Sequence, residues 1–145
     1  ATGRHMCNAY LGHAYSVNHV TDLVRKVFEG RVAYHDGSRE IAPGISVHLI
    51  GGHTMGVQCV RVKTKRGWIV LAPDAAHFYE NMDAASPFII AYSVADMVDG
   101  YKTMQRLADS HNHIIPGHDP LVLIKYPPLN DIIGPEIVRL DTDPT

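Results

Sequence analysis

Two histidines and an aspartate stand in the same kind of place. His53 follows an alternating stretch, Ile45-Ser46-Val47-His48-Leu49, and sits among Gly51, Gly52 and Gly56. Asp74 follows the apolar run Trp68-Ile69-Val70-Leu71-Ala72 and Pro73, and His118 follows Ile114-Ile115-Pro116-Gly117. Glycine beside a functional side chain lets backbone and ligand come close. In α/β architectures the carboxyl ends of strands are where sites gather. Two imidazoles and a carboxylate suit zinc or another borderline first-row metal. Each residue also has a plainer reading. His53 alone is a surface or hydrogen-bonding residue, Asp74 alone caps a helix beginning at Ala75, and Gly117-His118 alone is a turn. The chain holds ten histidines in 145 residues. His111 and His113 would share one side of a strand at i, i+2, and metal binding there is not expected. His35 and His48 read as strand-face residues without a role.

The elements that must position these residues follow from periodicity. Residues 1–15 show no clear period and read as loop. A helix is predicted over 18–28, capped by Asn18, with Val20, Leu23, Val24 and Val27 on one face and Gly30 at its end. The period then changes. Strands are expected near 32–35, 39–42, 45–50, 57–63, 68–72 and 112–115. Asp36-Gly37 gives a hairpin signal between the first two, and Pro43-Gly44 marks a second turn. The 68–72 strand is apolar throughout and so reads as buried on both faces. The clearest helix is 93–108, where Ser93 and Asp96 resemble a capping box and Val94, Met97, Val98, Tyr101 and Met104 form the apolar stripe. Residues 137–140 could add an edge strand.

Three segments carry a more specific resemblance. Gly52-His53-Thr54-Met55-Gly56 resembles the GHTxG element of metallo-β-lactamase-type hydrolases. Leu71-Ala72-Pro73-Asp74-Ala75 resembles the strand end bearing their metal-bridging aspartate, and Ile115-Pro116-Gly117-His118-Asp119-Pro120 resembles their last ligand loop. Their order and separations resemble the N-acyl homoserine lactonases, and the likeness covers most of residues 30–125. The resemblance implies one half of an αβ/βα sandwich, of α+β type, with a mixed β-sheet and helices near 18–28 and 93–108 on one face. The other face should be strongly apolar. It also implies two zinc ions, with His53 on the first, His118 on the second and Asp74 bridging. Zinc-bound hydroxide would open a lactone ring, the chemistry of quorum quenching. Other lactones, esters and thioesters remain alternative substrates.

The chain departs from that pattern twice. The family's HxHxDH motif is absent, and the spacing of His13 and His19 does not reproduce it. Four of seven expected ligand positions are therefore missing. This predicts that the chain alone does not hydrolyse lactones at an enzymatic rate and that it pairs with an N-terminal half or self-associates; the rival reading is a non-catalytic fragment that binds metal weakly or not at all. Second, the tyrosine that some lactonases carry three residues after the aspartate is replaced by His77. His77 could serve at the substrate carbonyl in its place, or be an exposed helix residue; Tyr79 is two positions out of register.

Composition sets the remaining bounds. Hydrophobic residues make up 46% and charged residues 19%, with a net charge of −2. These values fit a single globular domain over 1–145. No basic run suggests nucleic acid and no apolar stretch reaches the 18 to 20 residues that span a membrane. Cys7 and Cys59 form no CxxC pair; the expectation is free thiols in a reducing cytoplasm, with a disulfide as the alternative.

Overall fold

The computed structural model describes residues 2–130, 132 and 136–145. The chain divides into two compact units, residues 1–35 and 36–145. The first unit holds a short helix α1 (Thr2–Met6), a 3-10 turn (Leu11–Ala14) and helix α2 (Val17–Phe28). The expectation of loop throughout 1–15 is thus corrected, apart from Ala1, which lies outside the described residues. Ser16, extended at φ −98°, takes the N-cap position expected of Asn18, and its side chain makes no capping bond. The end of α2 is as expected. Gly30 takes φ +68°, its N–H donates to Val27 at 3.0 Å, and Arg31 N–H reaches back to Lys26 at 2.9 Å. These are the two bonds of a Schellman ending. The apolar stripe of α2 is amphipathic, but none of its residues is buried.

The second unit is a five-stranded mixed sheet, ordered β1 (Ser38–Ala42), β2 (Ile45–Leu49), β3 (Gln58–Thr64), β4 (Gly67–Ala72) and β5 (Ile114–Pro116). The first four strands form an antiparallel meander and β5 joins β4 in parallel. A parallel partner needs a crossover. Here it contains α3 (Tyr79–Asp83), α4 (Val94–Leu107) and a 3-10 turn (His111–His113). A last helix, α5 (Leu121–Lys125), follows β5.

Two expectations about strands fail. Residues 32–35 form no strand, so Asp36-Gly37 closes no hairpin. The hairpin turns at Pro43-Gly44 instead, with Gly44 at φ +74° and its N–H donating to the Glu40 carboxylate at 3.1 Å. The pairing with β2 is taken instead by residues 38–42, registered with it across the Pro43-Gly44 turn. Residues 137–140 contribute only a bridge between Pro128 and Val138. Pro127 and Pro128 lack the N–H groups that a longer ladder would need.

The core lies between α4 and one sheet face. Cys59, Val70, Ala72 and Ile114 from β3, β4 and β5 pack with Met97, Tyr101 and Met104 of α4, and with Ala75, Ala76, Tyr79 and Met82. Ser93 Oγ accepts the Asp96 N–H at 3.2 Å, as the capping pattern predicts. Strand register places Ile45, Val47, Leu49, Val60, Val62, Ile69, Leu71 and Ile115 on the opposite face. That face is as apolar as expected, but it is not bare: Val47, Ile69 and Ile115 are buried.

Candidate metal centre

The parallel pairing of β4 with β5 puts two of the candidate residues side by side. Ala72 is registered with Pro116, so the loops leaving both strands start together. They stay together because Gly117 N–H donates to the Ala76 carbonyl and His118 N–H to that of His77, each at 3.0 Å. Gly117 is required here. A Cβ at this position would stand 2.3 Å from the Pro73 carbonyl oxygen. Asp119, buried at the end of the loop, accepts the Tyr79 N–H at 3.0 Å and the Leu121 N–H at 2.9 Å. One carboxylate thus ties the starts of α3 and α5 to the His118 loop.

His53 arrives from the third strand end. The loop after β2 passes so close to α4 that a Cβ on Gly52 would lie 2.6 Å from Met97 Cα, and Gly52 takes φ +91°. The Gly52 carbonyl accepts N–H bonds from Tyr92 at 2.8 Å and Ser93 at 2.9 Å, fixing the loop against the start of α4. The His53 ring is fixed as well. Its Nδ1 lies 2.7 Å from the Ile90 carbonyl oxygen. A carbonyl only accepts, so Nδ1 carries the proton and Nε2 keeps its lone pair. Metal-ligating histidines are held in this way.

The side chains meet at the mouth of these loops. His118 Nε2 donates to Asp74 Oδ1 at 2.9 Å, and His77 Nε2 lies 3.6 Å from the same oxygen. Asp74, His77 and His118 offer one ligand atom each, all within 4.8 Å of one another. The His53 and His77 ring centroids are 5.9 Å apart, those of His77 and His118 4.4 Å. His77 stacks on Phe88 with centroids 3.6 Å apart and planes 7° from parallel. Its Nε2 is buried and has no hydrogen-bond partner. The hydrogen bond from His118 holds the Asp74 carboxyl below its ordinary range, against the opposing effect of burial. Burial, and then the neighbouring His118, lowers the pKa of His77.

The donor set therefore fits a divalent first-row cation: an ionised carboxylate, the open Nε2 of His53, an orphaned buried nitrogen of His77 beside that carboxylate, and His118, whose Nε2 proton a cation would displace. Of the three expected ligands, Asp74 and His118 come together; the His53 ring stands beside them, 5.9 Å from that of His77, outside the close set. His77 comes with them and lies on no helix. Tyr79 does not: its ring is buried in the core, with Lys125 Nζ 4.0 Å from its centroid. His111 and His113 sit in the 3-10 turn rather than on a strand. They bond to Asp83 and to Ser110 and the Arg66 carbonyl. His48 lies on β2 between Ser38 and Ser46, while His35 lies on no strand. Phe88, the Ile90 carbonyl and Asp119 were not among the sequence candidates. Nothing in their spacing marks them, since each acts through a contact 11 to 40 residues away.

No protein-family model matches the chain, and no curated protein matches it. Solved structures do. One is an N-acyl homoserine lactone hydrolase with the product N-hexanoyl-L-homoserine at its catalytic metal centre. It is 25% identical, with a TM-score of 0.53 over 59% of this chain and 34% of that one. A quorum-quenching N-acyl homoserine lactone hydrolase is 26% identical, with a TM-score of 0.53 over 59% and 36%. The dizinc quorum-quenching lactonase AidC is 13% identical, with a TM-score of 0.54 over 83% and 43%. The matched segment thus spans 34% to 43% of these chains. Over that segment this chain has the lactonase-like fold of the metallo-β-lactamase superfamily, a mixed five-stranded sheet with helices.

Proposed function

We propose that the chain carries part of the active site of a zinc-dependent hydrolase that opens lactone rings, with esters and thioesters as the alternative substrates. The observation that carries this reading is the cluster of Asp74, His77 and His118, with the His53 ring beside it, at three separate strand ends. The likeness to lactone hydrolases, one holding its ring-opened product at a metal centre, supports the substrate class. In this reading His53, Asp74 and His118 would hold the zinc. When bound, zinc supplies a Lewis acid for the carbonyl and a water activated near neutral pH. The chain's own residues hold the arrangement. The Ile90 carbonyl keeps His53 in the tautomer with Nε2 open. Asp74 stays ionised and can orient a proton at Oδ1.

A second reading, a non-catalytic chain that binds metal weakly, is favoured by the absence of HxHxDH among these 145 residues. A panel of acyl homoserine lactones, esters and thioesters separates the two. It is assayed by mass spectrometry with zinc, in the presence and absence of an HxHxDH-bearing lactonase half. The chain alone is expected to be slow. With the added half, ring opening should appear, be removed by a chelator and be abolished by His118→Ala. If zinc binds but nothing in the panel is opened even with the added half, the hydrolase reading falls and the non-catalytic one stands.

A further inference from the structure

We infer that His77 is itself a metal ligand, forming with Asp74 and His118 a three-residue cation site to which His53 is the outlying fourth donor. The inference deepens the metal-dependent reading and rests on it. Three observations point the same way. First, the atoms of Asp74, His77 and His118 lie within 4.8 Å of one another, a set that His53 does not join. A tetrahedral zinc with bonds of roughly 2.0–2.1 Å holds its ligand atoms about 3.4 Å apart, so ordinary side-chain adjustment closes the remaining gap. Second, His77 Nε2 is buried without a hydrogen-bond partner, 3.6 Å from Asp74 Oδ1. A buried polar atom left unpaired is destabilising, and a cation shared with that carboxylate would satisfy it. Third, the ring is already fixed. It lies flat on Phe88, and the His77 carbonyl accepts the His118 N–H at 3.0 Å, so stacking fixes the His77 ring and the backbone keeps the two residues together. Preorganised donors of this kind are what a metal site needs.

A ligand role also excludes the role of proton donor. A ring nitrogen bound to a cation has no proton to give, so His77 would not serve at the substrate carbonyl through Nε2. His77, Asp74 and His118 would then hold one ion firmly, with His53 positioned for it or for a second.

The test is zinc binding by the whole chain, read by calorimetry and by the ring ¹⁵N resonances of its histidines. His77→Phe keeps an aromatic ring on Phe88 and removes the lone pair; His77→Gln is a second, smaller variant. Each is checked by its backbone amide spectrum for an intact fold. The wild-type chain is expected to bind zinc with the His77 and His118 nitrogens shifted to metal-bound values. Both variants should weaken zinc binding by at least about tenfold. Unshifted His77 nitrogens with unchanged affinity in His77→Phe would overturn the assignment of His77, and leave a site of His53, Asp74 and His118 standing. No zinc binding by the wild-type chain, in a sample whose amide spectrum shows it folded, would overturn both.

Discussion

At Gly117 one methyl group decides whether two loops can touch. Its Cβ would stand 2.3 Å from the Pro73 oxygen, and that oxygen belongs to the backbone, which cannot swing aside. Gly117→Ala is therefore expected to lower stability by about 1–3 kcal/mol in chemical denaturation, and to weaken zinc binding by separating Asp74 from His118. Gly56→Ala, where an added Cβ meets nothing within 4 Å, should change stability by no more than about 0.5 kcal/mol. The cysteines give a second prediction at this scale. Cys59 is fully buried in the core and burial pushes its thiol up to about 11, whereas Cys7 is exposed. A thiol reagent at pH 8 should titrate one thiol in the native chain and two in denaturant. The raised pKa also fixes a sign. The folded thiol keeps its proton where the unfolded one loses it, so Cys59 stabilises fully below about pH 9 and that contribution is lost as pH rises through 11. Cys59→Ala should flatten the loss of stability between pH 9 and 11.

Among the elements, the short helices depend on single side chains. Asp119 holds the first N–H groups of both α3 and α5. Asp119→Ala should cost about 1–3 kcal/mol, the cost of leaving such groups unpaired, measured as a lowered thermal midpoint. Arg66 does the same for the tail. Its side chain is 4% exposed, and it donates to the Thr142 carbonyl at 3.0 Å and the Asn112 carbonyl at 2.6 Å. The elements differ in how plainly they could be read beforehand. Strand β4 was legible because five successive apolar residues, Trp68 to Ala72, suit a central strand covered on both faces. Helix α4 was legible because its stripe is regular and Ser93 caps it. Strand β1 was half legible: two turn signals compete on either side of it, and only long-range pairing with β2 selects Pro43-Gly44. Of the site, His53, Asp74 and His118 were legible as metal-binding types placed after strands. The role of His77 was not, because its orientation comes from Phe88 and from backbone bonds between loops 41 residues apart.

For the molecule as a whole, the division into units makes a prediction about which histidines matter. Every residue of the principal core cluster, and all four clustered site residues, belong to residues 36–145. Removing residues 1–35 is expected to leave the second unit folded by circular dichroism, with zinc affinity unchanged within about twofold. A large loss would bring His13 or His19 into the ligand set. Among the described residues no helix is long and apolar enough to cross a membrane. The central claim is that one metal centre forms where three strand ends meet, and zinc-edge X-ray absorption on the zinc-loaded chain tests it most directly. The expected spectrum has nitrogen and oxygen neighbours at roughly 2.0–2.1 Å, outer-shell scattering from at least two imidazoles, and no sulfur. It should be lost in His118→Ala at equal zinc. A spectrum showing sulfur ligands or no imidazole scattering, or one unchanged by His118→Ala, would contradict the account.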